Sequence, residues 1–272
     1  MCLRLDFWRC FLFPVFVLFG REFSMYAVMS VLGLLCGGVL FCQRIRKKTQ
    51  DDTEAILFLL VLSVGILIGG HALYGLTNLE KMPRLFECAS FSGFISVLNA
   101  IFGGMIFYGG LIGAYLFGIL YAKIKKLDLV LYMDSAALFA PIFHGFARVG
   151  CFFGGCCYGI ESHFGFAASG NTITSIGDVS RFPVQLLEAT CNFLIALVIC
   201  FLLKSERCKG RVFYVYLALY AFIRFFDEFL RGDEIRGFIF GLSTSQFISI
   251  FVEIFALVML CTLSIQERRR RI

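Results

Sequence analysis

The stretch 55–76, AILFLLVLSVGILIGGHALYGL, contains no acid, lysine or arginine from end to end. A helix rises 1.5 Å per residue, so about 20 such residues cross the roughly 30 Å hydrocarbon core of a bilayer. Comparable apolar runs recur at about 24–42, 95–122, 129–147, 183–203, 212–230 and 238–263. The whole chain of 272 residues is 59% hydrophobic with 34 Phe, a composition that excludes an ordinary soluble domain. The expected fold is therefore an all-α integral membrane protein of about seven transmembrane helices. It forms a single domain over 1–272, with an interfacial amino-terminal arm over 1–23 and a small outer-face head segment from the loop region 148–182.

Charge placement supplies the topology. The gaps 43–54, 122–128 and 204–211, with the tail from 264, hold 15 of the 25 Lys and Arg. Basic residues in short loops mark the cytoplasmic side. The amino terminus, the loop near Lys81, the 148–182 segment and the turn at 231–237 then lie outside, and Arg268 to Arg271 lie inside. This distribution is a topology signal and not a nucleic-acid footprint, and no G-x-x-x-x-G-K-[ST] loop is present to bind a nucleotide. Most of the 12 cysteines, such as Cys36, Cys42, Cys191 and Cys200, sit inside apolar runs and are read as small core residues.

A charged side chain inside a span costs several kcal/mol unless it faces protein, water or a headgroup, so each one is a functional candidate. The candidates are Asp134, Arg148, Glu188, Arg224, Asp227, Glu228, Arg231 and Glu253. Arg148 opens ARVGCFFGGCCYG (147–159), where glycines give an irregular backbone whose N–H groups can hold an anionic oxygen beside a guanidinium fork. The plain alternative is an arginine that reaches for the interface. Arg224, Glu228 and Arg231 stand at i, i+4 and i+7 in YAFIRFFDEFLRGD (220–233), on one helical face, with Arg224 and Glu228 able to pair. Such a triad serves equally as a structural strap. Tyr108, in GGMIFYGGLIG (103–113), has glycine neighbours that leave room for a ligand or, alternatively, is an interfacial aromatic. Gln185 and Glu188 form another polar cluster. Cys151, Cys156 and Cys157 near His144 depart from paired C-x2-C spacing, and adjacent cysteines rarely aim both sulfurs at one ion. A disulfide or tight packing is preferred there, and no metal is expected.

GGMIFYGGLIG, ARVGCFFGGCCYG, RFPVQLLE (181–188) and RFFDEFLRGD (224–233) occur in the order and spacing of the prolipoprotein diacylglyceryl transferases, which this chain resembles over nearly its whole length. The resemblance implies transfer of a diacylglyceryl group from phosphatidylglycerol to the lipobox cysteine thiol of a prolipoprotein, beside its signal-peptide region, with release of glycerol phosphate and without cofactor. It implies catalytic roles for Arg148, Arg224 and Tyr108. It also implies substrate contacts from Tyr26 (in YAVMSVLG of the first span), Gly109, Gly110, Gly150, Cys151, Gly159, Glu228 and Arg231. The chain departs from the best-studied members in three places: they carry histidine at the position of Tyr108, asparagine at Cys151 and glutamate at Cys156. His71 likewise stands where an arginine commonly follows the double glycine of the second span. These differences match a cysteine-bearing, tyrosine-bearing branch, and they keep two alternatives open: a related transferase with another acceptor or lipid donor, and a non-catalytic phospholipid-binding protein. Oligomeric state is not legible.

Overall fold

The computed structural model describes residues 15–18, 20–49, 51–87, 90–166, 179–232, 238–239 and 241–271. In chain order the elements are strands β1 (Val15–Leu18) and β2 (Arg21–Ser24), then helices α1 (Met25–Thr49), α2 (Thr53–Leu76), α3 (Phe91–Phe102), α4 (Phe107–Lys125) and α5 (Leu129–Phe153). Strand β3 (Glu161–Phe166), α6 (Val184–Leu202), α7 (Val212–Asp227), β4 (Phe238–Ile239), β5 (Leu242–Ser243) and α8 (Thr244–Arg271) follow. Among the described residues six helices, namely α1, α2, α4, α5, α6 and α8, are long and apolar enough to cross a membrane. The remaining expected span, 212–230, is α7, whose 16 residues fall short of that length and run on into a 3-10 turn at Glu228–Leu230, so the described residues hold six such helices against the seven expected. The chain is thus an all-α integral membrane protein. The amino-terminal arm lies outside the described residues up to 14; its remainder is the antiparallel β1–β2 hairpin, which turns at Gly20 with φ +74°.

The described residues fall into two compact units, 42–133 and the remainder. In the first, α2 and α4 are the dominant helix pair. Glycines spaced four apart make their contact: a Cβ on Gly65 would lie 2.7 Å from the Gly113 carbonyl oxygen, and one on Gly69 would overlap the Gly109 carbonyl. Lipid tails are as apolar as Leu, so helices in a bilayer associate through close backbone packing of this kind. Gly69→Leu should force α2 and α4 apart and lower the midpoint of thermal unfolding in detergent, with a penalty of about 1–3 kcal/mol or more.

The apolar run expected as one span at 95–122 is two helices. Between them, Gly103 to Ile106 leave the helical path, and a break at membrane depth must have its backbone groups satisfied by protein. His71 on α2 supplies this: its Nδ1 lies 2.7 Å from the Phe102 carbonyl oxygen and 2.9 Å from that of Gly104. Both partners are acceptors, so Nδ1 carries the proton. The Ile106 N–H donates to the Gly70 carbonyl at 3.2 Å. Gly109 and Gly110, expected against substrate, face α2 at Gly69, Leu73 and Ile66. Helix contact alone therefore accounts for their lack of side chains.

In the second unit, Gly33 and Gly37 of α1 meet Phe146 and Phe139 of α5, each Cβ position lying 2.9 Å from the ring-bearing side chain. Asp134, a candidate for chemistry by its place in a span, caps another helix instead. Its carboxylate accepts from the backbone N–H of Gly210 at 2.7 Å and of Phe213 at 3.1 Å, at the start of α7. Those N–H groups have no partner within their own helix, and a negative charge there also suits the helix dipole. Asp134→Ala should cost about 1–2 kcal/mol of stability, read as a lower unfolding midpoint, and leave turnover of the folded protein unchanged. The last helix starts later than the expected 238. Ser243 and Gln246 exchange backbone and side-chain hydrogen bonds at 3.0 and 3.2 Å, a capping box that fixes the start of α8 at Thr244 after the β4–β5 hairpin.

Candidate active site

In the second unit α5, α6, and α7 with the 3-10 turn that follows it carry polar residues at helical spacing: His144, Arg148 and Cys151; Gln185, Glu188 and Asn192; Tyr220, Arg224 and Glu228. Arg148, Glu188, Arg224 and Glu228 are all buried, none more than 8% exposed. They form one alternating chain of charge. Arg148 Nε pairs with Glu188 Oε2, Glu188 Oε1 accepts from Arg224 Nη1 at 3.2 Å, and Arg224 Nη2 meets Glu228 Oε2 at 2.6 Å. Arg148 Nε–H also donates to His144 Nε2 at 3.2 Å, which requires a lone pair on that nitrogen. Arg224 Nη2–H donates to Ser245 Oγ at 3.2 Å.

Taking an ion out of water costs several kcal/mol, and the mutual attraction of a buried pair often does no more than offset that cost. Four buried charges on three helices are therefore poorly explained by stability, and they point to a site that handles charge. Glu188 is the residue the expected site set omitted. Its presence within a span marked it as a candidate, but its two arginine partners come from other helices, which sequence spacing cannot show.

The expected Arg224–Glu228 pair is present; the expected single helical face is not complete. The α-helix ends at Asp227, and Arg231 is extended, with φ −83° and ψ 140°. Its backbone bridges that of Gly159 in antiparallel fashion. Around that bridge, the Ile160 N–H donates to the Leu230 carbonyl at 3.0 Å, the Gly232 N–H to that of Tyr158 at 3.0 Å, and the Phe182 N–H to that of Ile160 at 2.9 Å. A Cβ on Gly159 would lie 2.9 Å from the Leu230 carbonyl oxygen and would overlap that of Phe182, so only glycine allows the three segments to meet. Arg181 covers the same place, its guanidinium 4.5 Å from the centroid of the Tyr158 ring. This junction delivers Arg231 to the 148–159 segment.

That segment begins as helix: α5 continues to Phe153, and Arg148 lies within it. The helix closes with a Schellman motif. The Cys156 N–H donates to the Cys151 carbonyl at 3.2 Å and the Gly155 N–H to that of Phe152 at 3.1 Å, with Gly155 at φ +69°. Cys156 is thereby folded back over Cys151. Cys157, also left-handed at φ +55°, turns its sulfur the same way. The three Sγ atoms lie within 4.8 Å of one another, although adjacent cysteines were expected to diverge. The Cys157 thiol is held below its ordinary range, first by hydrogen bonds from Cys151 and Cys156 and then by Arg148 and Arg231. Gln185 Nε2–H donates to the Cys156 carbonyl at 2.8 Å and ties the turn to α6. A Cβ on Gly150 would stand 3.0 Å from the Tyr26 Cα, so α1 and α5 meet where two expected substrate contacts lie. Tyr108 is in the other unit, 2% exposed, with its ring edge-on to Phe107.

Of the expected set, Arg148, Arg224 and Glu228 are joined by side-chain contacts, Gly159 and Arg231 by backbone, and Tyr26 with Gly150 by close packing. Comparison with known proteins gives this arrangement a context. The family described as prolipoprotein diacylglyceryl transferase matches residues 14–262. A protein of Clostridium tetani named phosphatidylglycerol–prolipoprotein diacylglyceryl transferase is 30% identical over 238 residues, which cover 87% of this chain and 92% of that protein. A similarly named protein of Clostridium perfringens is 31% identical, covering 86% of this chain and 89% of its own length, and one of Geobacter sulfurreducens is 31% identical over 81% and 83%. With a family match that spans nearly every element from β1 through most of α8, the chain belongs to the prolipoprotein diacylglyceryl transferase family.

Proposed function

We propose that this protein transfers a diacylglyceryl group from phosphatidylglycerol to the lipobox cysteine thiol of prolipoproteins, releasing glycerol phosphate. The observation that carries the reading is the buried Arg148–Glu188–Arg224–Glu228 chain beside the glycine-rich end of α5. The enzyme works in the cytoplasmic membrane with the amino terminus outside and the carboxyl terminus in the cytoplasm, so the arginine cluster faces the outer leaflet, where the acceptor's signal-peptide region presents its cysteine; of the expected outer-face loop 148–182, residues 167–178 lie outside the described residues.

The chemistry is displacement at carbon. The acceptor sulfur attacks the glyceryl carbon that bears the phosphate, a C–S bond forms, and the C–O bond breaks with its electron pair leaving on glycerol phosphate. Charge grows on the departing phosphate, and preorganised donors in a water-poor site stabilise that growth most. Arg148 and Arg224 supply it. Glu188 sits between them and fixes both guanidinium groups, so little reorganisation is needed when the phosphate arrives. Glu228 holds Arg224 from the other side, and Arg231 adds a third cation from the Gly159 junction. Tyr26, Gly150, Cys151 and Gly159 contact the substrate, and Tyr108 takes part, on the strength of motif position.

The test follows glycerol phosphate release by purified protein in phosphatidylglycerol-containing micelles, with a lipobox peptide or its cysteine-to-serine counterpart. Release that needs the cysteine supports the reading. Release with neither peptide, or with both equally, would indicate a lipase or a transferase with another acceptor.

A further inference from the structure

The three sulfurs at the end of α5 form a second built feature. A zinc ion held by thiolates sits about 2.3 Å from each sulfur, and tetrahedral geometry then separates the sulfurs by roughly 3.8 Å. Cys151, Cys156 and Cys157, already within 4.8 Å of one another, need to close by only about an ångström to reach that geometry. The backbone is arranged to bring them there. The Schellman turn stacks Cys156 over Cys151, and Cys157 occupies a left-handed conformation that residues with a Cβ seldom adopt. A strained conformation that turns a third thiol into a pair suggests a ligand set more than packing. Cys151 is buried while Cys156 and Cys157 are half-buried, so the cluster is reachable from one side. Three thiolates with a divalent ion carry one net negative charge, and Arg148 stands on the same face of α5 as Cys151, three residues before it.

We propose that Cys151, Cys156 and Cys157 are the three protein ligands of a thiophilic divalent ion of the zinc type, whose fourth position takes the acceptor cysteine; the second half of this inference rests on the transferase reading above. Zinc sites with three protein ligands are catalytic because the remaining position receives water or substrate, and a coordinated thiol is deprotonated outright. The acceptor thiol gives its proton to solvent on coordination. Its sulfur then forms the C–S bond while the C–O bond breaks toward phosphate. One thiol and one phosphodiester become one thioether, one glycerol phosphate dianion and one proton, with no change of oxidation state. The site thus supplies the thiolate.

The experiment uses full-length protein purified in detergent under zinc, with metal content measured and Co2+ exchanged in as a spectroscopic probe. The expected results are about one equivalent of metal per chain and a sulfur-to-cobalt charge-transfer band. That band should shift when lipobox peptide is added and should be absent in Cys156→Ser and Cys157→Ser. Chelation of the unmutated protein should cut transfer by about tenfold or more, with recovery on adding zinc. Substoichiometric metal with no charge-transfer band, or a disulfide among these cysteines found by mass spectrometry of the freshly purified protein, would overturn the site. Full transfer after the metal is stripped would overturn its part in catalysis and leave the transferase reading intact. A cobalt band that the peptide shifts, in protein that makes no thioether from phosphatidylglycerol, would support the metal site and count against that lipid donor.

Discussion

Arg148→Ala and Arg224→Ala should each lower kcat for diacylglyceryl transfer by a factor on the order of 10²–10³ or more, while phosphatidylglycerol binding falls much less. The asymmetry follows from where charge develops. The phosphodiester already carries one negative charge in the ground state, and the second appears only as the C–O bond breaks. A buried guanidinium beside that oxygen therefore contributes more in the transition state than before it. Arg148→Lys is the sharper variant. It keeps the charge on α5, but a point-charge ammonium cannot reproduce the planar fork, so it should restore stability more than rate. Initial rates across phosphatidylglycerol concentrations separate kcat from KM, and thermal unfolding in the same detergent shows that each variant is folded.

Glu188→Ala should be the most destabilising single change in the site. Glu188 is the shared partner of Arg148 and Arg224, and its side chain is 4% exposed. Its removal leaves two guanidinium groups facing each other without the carboxylate between them, and breaking a buried ion pair costs about 3–5 kcal/mol. The unfolding midpoint should drop sharply and transfer should fall with it. Glu188→Gln retains shape and one acceptor oxygen but not the charge, and should lie between the two. A double change, Glu188→Ala with Arg148→Ala, removes one uncompensated cation together with its partner. It should be less destabilised than the sum of the single changes, and that non-additivity would establish the pairing energetically.

Length and hydrophobicity made the spans readable, because the thickness of a bilayer imposes a minimum run that few other constraints produce. Composition does not register a break in such a run. The 95–122 segment stays apolar through Gly103 and Gly104, and what ends α3 there is His71, far away in sequence, holding two carbonyl oxygens. The end of α7 escaped a helical-face argument for a similar reason, since Arg231 leaves the helix to bridge Gly159. The two arginines and Glu228 were legible as charges that a span would not otherwise tolerate. Glu188 and Asp134 carried the same mark, yet one belongs to the arginine site and the other caps α7, a difference decided by partners on other helices. The cysteines show the limit of spacing rules most clearly: C-x4-C-C argues against convergence until a Schellman turn and a left-handed Cys157 make the sulfurs meet.

Whether the buried arginine chain moves a diacylglyceryl group onto a thiol is read by mass spectrometry of a lipobox peptide. The peptide would be incubated with purified protein and phosphatidylglycerol of defined acyl chains. The expected product is a peptide heavier by one diacylglyceryl group, attached as a thioether at cysteine, formed by the unmutated protein and absent with Arg148→Ala and Arg224→Ala. An unmodified peptide from folded protein, or a modified peptide formed equally by the arginine variants, would contradict it.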